Sequence, residues 1–192
     1  MHLSRRRSAL LAALAAAALL ALMASAASAD YWDGKWYAIQ TQYFNPYSSP
    51  FPQVVTNWDA DNEQSRLTYY GDYANQKWAF VNVSGAPGWY KVVNGWSGKC
   101  LSVEWWDATP RRRVTQQTCA KYPATAGGQL WHEEGHPHYP NPQTAKAIRN
   151  KNGLYLAIDS GVSKCPEACT DRPLIADSEG QSWDLFYLRH LN

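Results

Sequence analysis

The sequence contains no amphipathic stretch of helical period longer than two turns, which excludes a helix bundle and any layout alternating helices with a parallel sheet. It has no Gly-x-Ser-x-Gly, so the nucleophile turn of an α/β-hydrolase is missing. Cysteines number only four, an even count that two bridges would use up, leaving no thiol for catalysis. Charged residues make up 18% of the chain, and no basic stripe with interleaved aromatics is present beyond Arg111-Arg112-Arg113. A run of three cations after Pro110 reads as a solvated hairpin loop, so no nucleic acid partner is expected.

Residues 1–29 read as a cleaved secretory signal peptide. Arg5, Arg6 and Arg7 form a basic start, residues 9–24 an Ala/Leu-rich apolar run, and Ala27-Ser28-Ala29 a small-x-small cleavage site before Asp30. The apolar run is short for a membrane span and ends in that site, so a secreted, extracellular product without a membrane span is expected. Removing the segment takes Lys plus Arg from 18 to 15, against 16 Asp plus Glu, so the mature chain is close to neutral.

What remains, about 163 residues, is long enough for one domain with a real core. Its ten Trp, twelve Tyr and four Phe favour pleated, half-buried surfaces, and Gly, Pro and Asn punctuate it throughout. The class is all-β, with many short strands and turns. One phrase recurs: Gln76-Lys77-Trp78, Gln129-Leu130-Trp131 and Gln181-Ser182-Trp183, with 53 and then 52 positions between successive tryptophans. A second repeats in step, Trp36-Tyr37-Ala38-Ile39-Gln40-Thr41 returning as Trp89-Tyr90-Lys91-Val92-Val93-Asn94, with a weaker copy at Lys146-Ala147-Ile148-Arg149-Asn150. A third pairs Gly98-Lys99-Cys100-Leu101-Ser102-Val103-Glu104 with Gly153-Leu154-Tyr155-Leu156-Ala157-Ile158-Asp159. A fixed period marks a repeat architecture. Each unit opens with an alternating strand, adds a hairpin and closes on Gln-x-Trp. In the first unit the prolines Pro46, Pro50 and Pro52 forbid continuous ladder pairing, so residues 45–52 form a loop. Residues 54–58 and 66–70 follow as paired strands.

Over residues 36–188 these phrases resemble the ricin B-type (Gln-x-Trp) lectin family. The resemblance implies a β-trefoil: three pseudo-symmetric units, about 36–83, 89–136 and 146–188, in one domain over residues 30–192, with Trp78, Trp131 and Trp183 in a shared core. It also implies carbohydrate binding by an Asp early in a unit, an aromatic on the next hairpin, and an Asn just before the Gln of Gln-x-Trp. Such residues suit a sugar, because an acid or amide takes its hydroxyls and a ring carries its apolar face. Asn75 meets the pattern beside Gln76, and Tyr69 or Tyr70 falls at the aromatic. The acid belongs near Thr56, where Asp59 and Asp61 are nearest. The second unit has Ser102, Gln117 and Gly128 at these positions, and the third has Ala157 and Gly180. Glu104 and Asp159 lie nearby but do not substitute, since one step along a strand turns a side chain to the other face. One surviving site, in the first unit, is therefore expected, with glycans or glycoconjugates as partners.

Cys100 and Cys119 bracket a hairpin and match the within-unit disulfide of that family. Cys165 and Cys169 enclose three residues, which suits a local bridge, with a redox or metal pair as the alternative. Of adjacent strand residues such as Trp105 and Trp106 at least one is expected on the surface, as a second sugar platform or a protein contact. Trp32 and Trp58 are weaker cases of the same kind. The stretch from His132 through His136 to His138 holds ligand types, but Gly135 and Pro137 prevent the helix a zinc motif needs, so it reads as a solvated loop. No metal, no cofactor and no enzymatic activity are expected. The alternative from another class is a protein-binding trefoil, such as a secreted protease inhibitor or a toxin accessory subunit, which shares the architecture.

Overall fold

The computed structural model describes residues 31–41, 52–58, 61–104, 111–120, 127–135, 146–159, 172–178 and 185–191. Its strands fall into three sets of four. The first is β2 (Trp36–Thr41), β3 (Gln53–Thr56), β4 (Arg66–Tyr69) and β5 (Trp78–Asn82). The second is β6 (Tyr90–Asn94), β7 (Cys100–Val103), β8 (Arg111–Gln117) and β9 (Trp131–Gly135). The third is β10 (Lys146–Asn150), β11 (Tyr155–Ile158), β12 (Arg172–Asp177) and β13 (Leu185–Leu191). A short β1 (Tyr31–Trp32) precedes them and pairs with β5.

The first and last strands of each set close a six-stranded ring, in the order β5, β2, β13, β10, β9, β6 and back to β5. The inner pairs form three hairpins, and β12 bridges the other two through β8 and β4. All pairings are antiparallel. A closed ring with a hairpin cap removes open edges from the barrel. This is the β-trefoil that the family resemblance implies.

The core repeats with the sequence. Ile39, Val92 and Ile148 occupy one position of the three opening strands and are fully buried together. Val55, Leu101 and Leu156 do the same one strand later. Trp78 and Trp131 fill the space between, and both are inaccessible to solvent. β-Branched and Leu side chains at these alternating positions give each strand one apolar face to turn inward. Trp183, the third expected symmetry mate, lies outside the described residues.

Two local readings need correction. Arg111, Arg112 and Arg113 are not a free loop: they open β8 and pair with β12, and two of them face acids, Arg111 at 3.8 Å from Asp159 and 3.6 Å from Asp177, and Arg113 at 3.7 Å from Glu104. His132 to Gly135 are not a loop either but most of β9, paired along its length with β10. There Glu133 meets Lys146 at 3.2 Å, and His132 Nδ1 lies 2.7 Å from the Gly88 carbonyl. Pro110 and Pro137 bound these segments and suggest loops locally, but long-range pairing decides. Among the described residues no group of three or more His, Cys, Asp or Glu is placed to hold a metal. His136 and His138 lie outside them. No described helix is long and apolar enough to cross a membrane.

The bridge from Cys100 to Cys119 is formed, with an S–S distance of 2.01 Å. It ties β7 to the end of β8. Cys165 and Cys169, like Trp105 and Trp106, lie outside the described residues.

Candidate functional site

The Gln-x-Trp phrase turns out to be a clamp. In the first unit the Gln76 amide oxygen accepts from Gly71 N–H at 2.8 Å, while its nitrogen donates to the Tyr69 carbonyl at 2.8 Å and to Thr68 Oγ1 at 3.0 Å. In the second, Gln129 accepts from Ala120 N–H at 2.7 Å and donates to the Thr118 carbonyl at 3.0 Å. The indoles follow suit: Trp78 Nε1 donates to the Val55 carbonyl and Trp131 Nε1 to the Leu101 carbonyl, each at 2.9 Å. Gln76 and Gln129 thus each close the hairpin of their own unit, and Trp78 and Trp131 each bond the strand behind them. Both ends of the Gln76 amide are taken by the protein, and the residue is buried.

These matched bonds align the first two units. Val55 corresponds to Leu101, and Tyr69 to Thr118. Thr56 therefore stands where Ser102 does, and Thr68 where Gln117 does, in agreement with the ladders Val54↔Thr68 and Cys100↔Gln117. The positions expected to carry an acid and an aromatic ring thus carry two threonines. Their hydroxyl oxygens lie 2.6 Å apart. Tyr69 and Tyr70 fall one and two residues past the aromatic position, because the alternation of the hairpin, not its composition, sets the register.

Tyr70 faces elsewhere. Its hydroxyl donates to Asp72 at 2.8 Å, and the Arg189 guanidinium lies over its ring at 5.0 Å from the centroid. Together with His190 and Leu191 they line a shallow depression of about 380 Å³. Burial, and then the bond to Asp72, raises the Tyr70 hydroxyl above the ordinary tyrosine range. The same bond, with help from Lys77 at 3.1 Å, holds the Asp72 carboxyl below the usual carboxylate range.

Asn75 sits in a one-turn 3₁₀ segment, Ala74–Gln76, immediately before β5. Its carbonyl accepts from Asn57 N–H at 3.3 Å and from Asn94 Nδ2 at 3.0 Å. Its side chain is different: the residue is only 9% exposed, yet Oδ1 is buried without a hydrogen-bond partner. A buried acceptor left unpaired costs about 1–3 kcal/mol. Asn75 lines a cleft of about 490 Å³ together with Ala74, Trp58, Tyr73 and Trp96. Among the described residues the exposed large hydrophobics are these same three rings, at 60% for Trp58, 65% for Tyr73 and 66% for Trp96. The volume falls within the roughly 300–1,000 Å³ range of small-molecule sites.

The structure thus brings Asn75 together with Trp58, a weak surface candidate from the sequence, and with two residues not anticipated there, Tyr73 and Trp96. Tyr73 lies close enough to Asn75 in the chain to have been found. Trp96 belongs to the next unit, and only its repeat position, in the turn after Asn94, hints at it. Asp59, adjacent to Trp58, lies outside the described residues. Asp61 is described and pairs with Lys99 at 3.4 Å. In the second unit Glu104 is buried against Arg113, and in the third Asp159 faces Arg111.

Residues 74–164 match the family described as ricin-type beta-trefoil lectin domain-like. Among solved structures the chain is similar to ThreeFoil, a designed three-fold symmetric protein, with a TM-score of 0.61 and 17% identity over 81% of this chain and 99% of that one. It is similar to part of a mosquitocidal holotoxin, with a TM-score of 0.61 and 19% identity over 82% of this chain, but spans only 17% of the toxin chain. It is also similar to a ricin B-like lectin of Macrolepiota procera solved in complex with lactose, with a TM-score of 0.54 and 18% identity over 84% of this chain and 99% of that one. At these identities the likeness to solved structures shows the fold. No curated protein matches the sequence.

Proposed function

We propose, from the match of residues 74–164 to a ricin-type beta-trefoil lectin domain-like family, that this chain is a secreted carbohydrate-binding protein with one sugar site, in the first unit at Asn75. The observation that carries this reading is the cleft itself, where Asn75 stands beside the exposed rings of Trp58, Tyr73 and Trp96. A sugar supplies what such a cleft lacks, namely hydroxyls for the amide and C–H faces for the rings. The second unit has Gly128 at the same position and the third has Gly180. The Asn75 cleft takes the place of the acid-and-aromatic pair expected from the family pattern, since Thr56 and Thr68 occupy those positions and bond each other. Secretion is supported by the signal-like residues 1–29 and by the Cys100–Cys119 bridge, which suits an oxidising compartment. The domain acts by binding, without catalysis, metal or cofactor.

The test is a glycan array probed with the mature protein, bridges intact. Binding should be competed by free monosaccharide and abolished by Asn75→Ala. Because the wild-type Oδ1 is unpaired, that substitution should leave the melting temperature unchanged or slightly higher. Loss of binding accompanied by a lower melting temperature would point to a scaffold role for Asn75 instead.

A second reading, a protein-contact trefoil of the inhibitor or toxin-subunit kind, is favoured by the exposure of Trp58, Tyr73 and Trp96 on one face. No array signal alongside tight capture of a secreted partner would decide for it.

A further inference from the structure

We propose that the Asn75 cleft is an inter-unit site for a neutral oligosaccharide of at least two pyranose rings, in which Trp96 of the second unit holds the ring beyond the one seated at Asn75. This rests on the sugar-binding reading above and adds the size and charge of the ligand.

The junction between the first two units repeats between the second and third, and the comparison separates scaffold from site. At the first junction Asn94 Nδ2 donates to the Asn75 carbonyl at 3.0 Å, and Asn94 Oδ1 accepts from Trp96 N–H at 3.0 Å. At the second, Asn150 Nδ2 donates to the Gly128 carbonyl at 3.1 Å, and Asn150 Oδ1 accepts from Asn152 N–H at 3.1 Å. The backbone is the same; the side chains are not. Where the first junction has Trp58, Tyr73, Asn75 and Trp96, the corresponding residues are Glu104, Ala126, Gly128 and Asn152. The fold therefore does not require aromatic rings at these positions. Three large rings exposed together gain nothing from burial and form a patch of the kind that marks binding sites.

The cleft is braced from both units. A side chain on Gly95 would meet the Ala74 carbonyl at 3.0 Å, so glycine there lets the second unit's turn lie against the first unit's closing turn. Fully buried Gln116, on β8, donates its amide N–H to the Trp58 carbonyl and accepts from Ser97 Oγ at 2.8 Å. The segments bearing Trp58, Asn75 and Trp96 are thereby tied to one another before any ligand arrives, which lowers the ordering cost of binding.

Size and charge follow. The rings come from three separate segments and line about 490 Å³, more than a single pyranose fills. The cations next to the cleft in sequence face acids, Lys77 with Asp72 at 3.1 Å and Lys99 with Asp61 at 3.4 Å, so the described rim offers an acidic sugar no uncompensated charge. A neutral chain with successive apolar ring faces fits.

The test is calorimetric titration of the mature protein with matched series: glucose, cellobiose and cellotriose; N-acetylglucosamine, chitobiose and chitotriose; galactose and lactose. In a series that binds, the disaccharide should bind about tenfold tighter than its monosaccharide, equivalent to about 1.4 kcal/mol. Trp96→Ala should remove that gain, costing the disaccharide about tenfold and the monosaccharide clearly less, and Trp96→Phe should restore most of it. Trp96 is exposed, so the near-ultraviolet dichroism of the Ala variant should show an intact fold. Monosaccharide binding with no gain on adding a ring, or equal losses for both in Trp96→Ala, would overturn the inference and leave the sugar site standing. Silence in every series, with no array signal, would overturn the sugar reading and this inference together.

Discussion

Trp131 shows what one residue contributes twice over. Its ring fills the barrel, and its indole N–H satisfies the Leu101 carbonyl at 2.9 Å in a place water does not reach. Trp131→Phe keeps much of the first role and loses the second, leaving a buried carbonyl unpaired at a cost of about 1–3 kcal/mol. Trp131→Ala adds a cavity, and large core aromatics truncated to Ala typically cost about 3–5 kcal/mol. Urea unfolding should rank wild type above the Phe variant and the Phe variant above the Ala variant. Equal midpoints for all three would mean the indole does not sit in the common core. Gln76 is instructive in the opposite direction: its motif was plain in the sequence, but only the bonds to Gly71, Thr68 and Tyr69 reveal that its amide serves the hairpin and not a ligand.

At the scale of the element, the β7–β8 hairpin is closed by the Cys100–Cys119 bridge, 19 positions apart. The matching hairpin β3–β4 has Val54 and Tyr70 at those places and relies on its ladder, the Thr56–Thr68 contact and Gln76. Closing a loop of that size contributes about 3 kcal/mol, mainly by restricting the unfolded chain. The Cys100→Ser, Cys119→Ser double variant should therefore melt lower by several degrees. It should keep the binding at Asn75, because the bridge lies outside the cleft; a melting curve and one titration of the same sample check both. Strand limits were the least legible elements. Residues 111–113 and 132–135 carry polar, charged side chains beside proline or glycine, and nothing local says that β12 and β10 will pair with them. The hairpin of residues 53–69 was legible because Val54, Val55 and Thr56, then Thr68 and Tyr69, form two short runs of strand-favouring residues and Pro52 precedes the first.

For the whole molecule, no unit has a core of its own. Ile39, Val92 and Ile148 come from three different units and pack in one cluster with Trp78 and Trp131. The ring of strands closes only when β5 meets β6 and β2 meets β13, so every unit needs both neighbours. Unfolding should be a single cooperative transition, with tryptophan fluorescence and far-ultraviolet dichroism superimposing in urea. A fragment ending at residue 83 should be unfolded by itself. Two separated transitions, or a folded fragment, would contradict a shared core.

The repeated phrases and the many aromatics and turn residues were enough to determine three units and an all-β class, because each is a short-range pattern, and the family resemblance those phrases carry implied the buried places of Trp78 and Trp131 and the within-unit bridge. It also singled out Asn75. What stands around Asn75 was decided by tertiary structure alone. Pairing in the β3–β4 ladder puts Thr68, not a tyrosine, at the expected aromatic position, and the turn of the next unit, docked on Ala74 through Gly95, delivers Trp96 to the cleft. Such contacts join residues of different units, and side chains that meet only after the barrel closes leave no period in the chain.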